Sequence, residues 1–194
     1  QAIRLYEPGS VMKIATISTA IDMGLVTPQT TLVVPYSITL YDRTIRDSHH
    51  HPTEVMTVQR ILAESSNVGT IKIAQMVEAA GGRAAIIERL HAFGFGKETT
   101  LGLPKEQAGV VKTDWNGTDI ASIPIGQSIT VSPVQMWTAY NVIANGGLYV
   151  PPKLVSDVVD SKGRHSQPKA AKSHRVVSSA PTTSSGCPPT RSIA

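Results

Sequence analysis

The sequence has very little of what disulfide-rich and membrane-spanning proteins require. Among its 194 residues there is one cysteine, Cys187, so the chain cannot form an internal disulfide, and an isolated thiol in a Pro/Ser/Thr-rich segment is a poor candidate nucleophile. Aromatic residues make up only 5%, and no run of about 18 apolar residues occurs that could cross a membrane. The apolar content of 41% is nevertheless typical of a globular domain with its own core.

The charge pattern also lacks the features of a nucleic-acid-binding protein. The net charge of +4 and the pI near 9.3 are mildly basic, but Lys and Arg form no dense stripe interleaved with aromatics, so no nucleic-acid partner is expected. The run His49–His51 resembles a metal clip, yet adjacent side chains point in different directions and no Cys or carboxylate partner lies at metal-ligand spacing. We therefore interpret the run as a polar loop and expect neither a metal nor an organic cofactor.

Hydrophobic spacing and capping residues predict a largely helical chain. Residues 10–23 form an apolar helix that Gly24 ends, and Thr57 caps a short helix that follows the irregular, partly β-like residues 30–56. The remaining predicted elements are a helix after Asn67 that stops at Gly81-Gly82, a helix over 83–92, a helix from Pro133 to about Ala144 with a Ser132/Gln135 capping box, and a strand and turn within 153–164.

Ser10 and Lys13 are the first candidate catalytic residues. Their i, i+3 spacing places them on one face of the first helix, and Ser10 lies where the partial positive charge of a helix N-terminus favours a developing oxyanion. An amine can accept the serine proton if burial lowers its pKa toward neutrality. The alternative is a capping serine beside a lysine whose stem is buried and whose amine reaches water.

Ser65 and Asn67 form the second candidate pair. They lie between two predicted helices, in the stretch AESSNVG, where a hydroxyl and an amide can point together into a cleft. In that arrangement Ser65 relays a proton and Asn67 holds a substrate amide. The alternative is that these short polar side chains only cap the helices on either side.

Five stretches, in order along residues 1 to about 179, make the chain resemble the transpeptidase domain of class B penicillin-binding proteins. They are YEPGSVMK (6–13), LAESSNVGTIKIAQ (62–75), FGFGKETTLGLP (93–104), the long block from DWNGTD to YVPPKLV (114–155) and HRVVSSA (174–180). The two catalytic stretches are moderately specific, and the long block is far more so.

The resemblance implies an α+β fold of the penicillin-binding protein and serine β-lactamase type. It also implies a role for each candidate residue. Ser10 attacks the D-Ala-D-Ala carbonyl of a peptidoglycan stem peptide, and Lys13 activates Ser10. Ser65 hands a proton to the leaving amine, and Asn67 binds the peptide backbone. An amine of a neighbouring stem peptide resolves the acyl-enzyme, and β-lactams trap Ser10.

The third motif of the family, Lys-(Thr/Ser)-Gly, does not occur in this sequence. Residues 112–114 (KTD) and 172–174 (KSH) lack its glycine, and we interpret both as surface basic segments. Residues 181–194 replace the expected helix and strand with a segment whose prolines forbid a helix, which suggests a frameshift or misjoined end. We expect residues 1–160 to form a partial transpeptidase domain without most of the central antiparallel sheet, and 161–194 to be a disordered tail.

The function implied is that of a penicillin-binding serine D,D-transpeptidase, although this chain alone is expected to be inactive. The chain begins without Met, directly before a motif. This start suggests a fragment, and the resemblance implies a parent protein anchored by an upstream membrane helix at the outer face of the cytoplasmic membrane. Its expected partners are stem peptides, β-lactams and membrane proteins of division or elongation.

Two alternative functions stay open. One is a serine β-lactamase-like hydrolase, whose family pattern has Asp at the position of Ser66 and needs a carboxylate to activate the deacylating water. The other is a non-catalytic helical fragment, which the missing third motif favours.

Overall fold

A computed structural model of the chain describes residues 2–167 and 172–178. Its helices are a 3-10 turn at Gly9–Met12, α1 (Lys13–Asp22), α2 (Val58–Ala63), α3 (Asn67–Ala92), two 3-10 turns at Asp119–Ala121 and Ile123–Ile125, and α4 (Pro133–Ala144). Its strands are β1 (Thr31–Val34), β2 (Ser37–Leu40), β3 (Arg43–Arg46), β4 (Glu54–Thr57), β5 (Leu148–Tyr149), β6 (Val158–Val159), β7 (His165–Ser166) and β8 (His174–Arg175).

The helices form where capping residues predict them. The Thr57 side chain accepts a hydrogen bond from the Arg60 amide at the start of α2. Helix α4 begins with the predicted capping box, in which Ser132 and Gln135 each accept the other's backbone N–H. Helix α3 breaks at Gly82, whose φ of 72° and ψ of 176° are not helical, so the predicted stop at the glycine pair is confirmed as a kink.

The strands pair into four separate two-stranded antiparallel sheets. These are β1 with β4, β2 with β3, β5 with β8 and β6 with β7. The β-like segment 30–56 thus supplies two hairpin-like pairs beside the helices. The described part of the chain has no larger sheet, and the predicted incomplete α+β architecture is confirmed.

The core surrounds α1, which packs against α3. Met12 of the 3-10 turn and Ala15 and Ala20 of α1 are at most 1% exposed, because this segment carries apolar residues around most of its circumference. The core also takes in Phe93 and Phe95 from the end of α3 and residues from the 120–131 segment. Lys13, Thr16 and Thr19 lie on the buried faces of α1, so each of these polar side chains needs a partner inside the protein.

Part of the segment that was expected to be disordered forms strands instead. β7 and β8 both lie beyond residue 160, and Val176 next to β8 is 3% exposed. The reason is backbone pairing: β8 pairs with β5, and the Gly147 carbonyl accepts the amide of Val176. Residues 168–171 and 179–194, including Cys187, lie outside the described residues, so their predicted disorder and the division at 160 stay predictions.

Candidate active site

Ser10 lies in the 3-10 turn that leads into α1. Its carbonyl accepts the amide of Lys13, so the two residues are joined through one turn of helix, as their spacing predicts. The Ser10 side chain is exposed, and within residues 2–167 and 172–178 its hydroxyl forms no hydrogen bond. The hydroxyl is therefore accessible to a molecule that approaches from solvent.

Lys13 is buried, being only 1% exposed. Its Nζ donates to the backbone carbonyl of Ser65 and, at 3.0 Å, to the Ser65 hydroxyl. Burial lowers the pKa of Lys13 from 10.5 to about 8, while the negative charge of Asp47 opposes that shift. The structure thus excludes a lysine whose amine reaches water and agrees with an amine that can exchange a proton near neutral pH.

The segment between α2 and α3 (residues 64–66, here the Ser65 loop) contains Ser65, the first residue of the second predicted pair. Ser65 has a positive φ of 57°, unusual for a residue other than glycine, and this conformation aims its carbonyl and hydroxyl at Lys13. Ser66 is the N-cap of α3 and accepts the Gly69 amide at 2.8 Å. The helix-capping alternative therefore applies to Ser66 but not to Ser65.

Asn67 is the first residue of α3 and lies half-buried. Its Nδ2 donates to the Arg46 carbonyl at the end of β3, at 2.9 Å. This bond orients the side-chain amide and ties β3 to the motif. The structure therefore joins Lys13 directly to Ser65 by hydrogen bonds. Ser10 lies one helical turn before Lys13, and Asn67 lies two residues after Ser65.

Two residues at this site were not found by sequence reasoning. Asp47 follows β3, is 8% exposed, and accepts the Ser66 hydroxyl at 2.7 Å and the Val68 amide at 2.9 Å. His51, from the histidine run, contacts the same carboxylate at 3.1 Å. No sequence motif connects Asp47 with the Ser65 loop, because Asp47 and Ser66 of that loop are 19 positions apart. The sequence showed only a single acidic residue directly after a β-like segment.

A separate segment holds the Ser10 turn in place. The amide of Gly9 donates to the Gly126 carbonyl at 2.9 Å, and the hydroxyl of Thr16 donates to the Pro124 carbonyl at 3.0 Å. Glu7 accepts the Ser128 amide at 2.9 Å. The long block of the sequence that was singled out for its specificity thus supports the turn that carries Ser10.

The two sequences that partly resemble a third motif have other roles or none. Lys112 pairs with the buried Asp119 at 2.8 Å, so it braces its own loop rather than the site. Lys172 is exposed. Across residues 2–167 and 172–178, no group of three or more His, Cys, Asp or Glu side chains is arranged to hold a metal ion, and no helix is long and apolar enough to cross a membrane.

Comparison with known proteins gives consistent results. A family profile described as the penicillin binding protein transpeptidase domain matches residues 2–184. The chain is 36% identical over 175 residues to penicillin-binding protein PbpB of Mycolicibacterium smegmatis, covering 89% of this chain and 26% of the relative. It is 31% identical over 150 residues to peptidoglycan D,D-transpeptidase FtsI of Escherichia coli, covering 76% of this chain and 24% of FtsI. The chain thus spans about a quarter of the length of these relatives.

A solved structure has a closely similar fold. Penicillin binding protein 3 of Mycobacterium tuberculosis, in complex with ampicillin, superposes with a TM-score of 0.87 at 36% identity. The match covers 92% of this chain and 39% of that one. The elements that carry Ser10, Lys13 and Ser65 lie within the family match. The chain belongs to the penicillin binding protein transpeptidase domain family, and within it to class B.

Proposed function

We propose that this chain is the nucleophile-bearing part of a serine D,D-transpeptidase that cross-links peptidoglycan stem peptides. One observation carries the proposal: a buried amine, Lys13, lies one turn from an exposed hydroxyl, Ser10, and donates to the Ser65 carbonyl and hydroxyl. A neutral amine has two N–H bonds, and the two oxygens of Ser65 accept both. Its lone pair is left to accept the Ser10 proton.

The roles follow from these contacts. The Ser10 oxygen attacks the carbonyl carbon between the last two D-alanines, and its proton passes to Lys13. The C–N bond then breaks, and a proton moves from Lys13 through the Ser65 hydroxyl to the leaving amine. In the second step the amine of a neighbouring stem peptide attacks the acyl carbon and loses a proton to Lys13. The ester C–O bond to Ser10 then breaks, and Lys13 returns the proton to the Ser10 oxygen. Asn67, oriented by Arg46, offers its amide to the peptide backbone.

The hydrolase alternative is disfavoured by Asp47. A serine β-lactamase needs a carboxylate that is free to activate water, and Asp47 is the buried carboxylate next to the Ser65 loop. Its two oxygens already accept the Ser66 hydroxyl and the Val68 amide, and His51 lies against one of them. A carboxylate used in this way holds structure rather than a water molecule.

The setting follows from the same chemistry. The substrate is a cell-wall peptide, so we place the reaction at the outer face of the cytoplasmic membrane, in a parent protein anchored there. β-Lactams are the expected inhibitors, as mimics of the D-Ala-D-Ala bond, and membrane proteins of division or elongation are the expected partners. Because the 194 residues contain no Lys-Thr/Ser-Gly motif, we expect little turnover from this chain alone.

Penicillin labelling tests the proposal. In a chimera, residues 2–178 would replace the matching segment of PbpB from M. smegmatis, so that this relative supplies the rest of the transpeptidase domain, where the family's third motif is expected. Mass spectrometry of a digest should place a lasting penicilloyl adduct on the peptide that contains Ser10, and Ser10→Ala should abolish it. Ser18→Ala, the same change on α1, should leave the labelling unchanged. An adduct elsewhere, or rapid release of hydrolysed penicillin, would contradict the proposal.

A further inference from the structure

Asp47 connects three separate parts of the chain. It follows β3 directly, and its carboxylate accepts one hydrogen bond from the Ser66 side chain and one from the Val68 backbone. These two donors are the N-cap of α3 and an amide of its first turn, where helix geometry leaves backbone N–H groups without intrahelical partners. We call this group the Asp47 anchor; it consists of Asp47, Ser66, Val68 and His51.

His51 is held between two acceptors. Its Nε2 lies 3.1 Å from the Asp47 carboxylate and its Nδ1 lies 2.7 Å from the Pro52 carbonyl. A neutral imidazole has one N–H, so only the imidazolium donates to both groups. The Pro52 carbonyl and then Asp47 raise the pKa of His51, and Glu54 adds to the shift. The ring of Tyr36 also meets His51 edge-on, with 6.1 Å between the ring centroids.

The anchor determines what Lys13 contacts. Ser65 precedes Ser66 directly, and its positive φ is maintained only while the chain on either side is held. Before Ser65, the chain is fixed by the end of α2. After Ser65, it is fixed by the anchor, which holds Ser66 and the first turn of α3. Both hydrogen bonds of the Lys13 amine go to Ser65, so a shift of the Ser65 loop removes both at once.

We propose that Asp47, paired with the imidazolium of His51, is the positioning residue that holds the Ser65 loop against the Lys13 amine. Within the described residues, no member of the anchor forms a hydrogen bond with Ser10. The anchor acts through the loop, and its catalytic consequence rests on the function proposed above. The anchor itself is a structural claim that can be tested without any activity.

The first test is an NMR titration of the 194-residue chain and three variants, Asp47→Asn, His51→Gln and His49→Gln. The last is the matched control, because His49 is an exposed member of the same histidine run. The His51 imidazole should titrate above the usual value of about 6.5, and Asp47→Asn should lower its midpoint, because the carboxylate that stabilises the imidazolium is gone. His49→Gln should leave the midpoint unchanged.

Amide exchange in the same samples separates an anchor from general stability. Asp47→Asn should speed exchange at Val68 by about tenfold or more, because the acceptor of its amide is no longer charged. Exchange at Gly69 should also accelerate, because its acceptor, the Ser66 hydroxyl, is itself held by the Asp47 carboxylate. Exchange at Ile73, in the buried centre of α3, should change little. An unshifted His51 midpoint in Asp47→Asn, or equal acceleration at all three amides, would overturn the proposal.

The second test measures penicillin acylation in the chimera with the same substitutions. Asp47→Asn should slow acylation by about 100-fold, the scale expected when a catalytic group is displaced by about 1 Å, and His51→Gln should slow it less. His49→Gln should react at the unsubstituted rate. If Asp47→Asn reacts normally, the positioning role is wrong. If no form is acylated, the proposed function fails, and the NMR result alone decides whether the anchor exists.

Discussion

The Lys13 amine is in a position where an ammonium ion is poorly tolerated. The side chain is 1% exposed, and in the described part of the chain no carboxylate forms an ion pair with it. Both of its acceptors are neutral oxygens of Ser65, and Asp47 acts on it only at longer range. Such surroundings favour the neutral amine, which is the form that a general base requires.

Removal of this amine tests the role of Lys13. In the chimera, Lys13→Ala should slow penicillin acylation by about 100-fold or more, the usual scale of general-base loss. Lys13→Arg should not restore the rate, because guanidinium stays protonated and cannot accept the Ser10 proton. Stopped-flow fluorescence with a labelled penicillin gives the rate, and a near-normal rate for either variant would make Lys13 structural.

The pH dependence of the same reaction gives an independent measurement. Acylation should accelerate as the pH rises through the Lys13 pKa of about 8, because the neutral amine then becomes the main form. The rate should level off once the amine is deprotonated. A rate that is flat from pH 6 to pH 9.5 would show that the titration of Lys13 does not limit the reaction.

At the scale of elements, the position of the Ser10 turn depends on how closely two backbones approach. Gly126 has a positive φ of 81°. A Cβ at this position would lie 2.5 Å from the Gly9 nitrogen and still closer to the Gly9 carbonyl oxygen. No other residue allows both the conformation and the approach. Through this contact, the 3-10 segment Ile123–Ile125 sets the position of the turn that carries Ser10.

Gly126→Ala should therefore destabilise the protein more than strain alone explains. Gly24→Ala is the matched control, since Gly24 also has a positive φ, of 68°, but open space around its Cα. We expect Gly24→Ala to cost about 1–2 kcal/mol from the left-handed conformation. Gly126→Ala should cost a further ~1–3 kcal/mol from the overlap with Gly9. Urea denaturation of both variants measures the difference, and equal losses would contradict the close approach.

At the scale of the whole molecule, the buried amine links stability to pH. The folded-state pKa of Lys13 is below its unfolded value of 10.5, so between about 8 and 10.5 the unfolded chain binds a proton that the folded chain does not. The free energy of unfolding therefore rises with pH across this window. His51 has the opposite sign: its contribution is complete below about 6.5 and is lost as the pH rises through its raised pKa.

Denaturation at pH 8 and pH 10 tests this linkage. The 194-residue chain should gain about 1–2 kcal/mol of stability between the two values, after allowance for solvent screening of the amine. Lys13→Met should be more stable at pH 8 and should lose most of the gain. If both proteins also carry His51→Gln, the opposing contribution of His51 to the pH dependence of stability is removed. An equal gain in the wild type and in Lys13→Met would show that the amine is solvated in the folded protein.

The features that could be predicted from the sequence are those that depend on neighbours along the chain. The capping box at Ser132, the N-cap at Thr57 and the break at Gly82 each depend on contacts within four residues, so the local residue pattern determines them. The i, i+3 spacing of Ser10 and Lys13 belongs to the same class. Motif order then identified the family, which no single motif could have done.

Only the tertiary structure decided which distant groups meet. Lys13 reaches Ser65 across 52 positions, and Asp47 reaches Ser66 across 19. The β8 strand was predicted to be disordered because a two-residue strand has no hydrophobic period of its own, and it exists only because β5 offers backbone partners. Local patterns specify helices and their ends. Tertiary packing of α1, α3 and the 120–131 segment buries Lys13 and lowers its pKa, and it also forms the contacts that support the Ser65 loop. The reason is that packing brings distant groups into contact and excludes water from them.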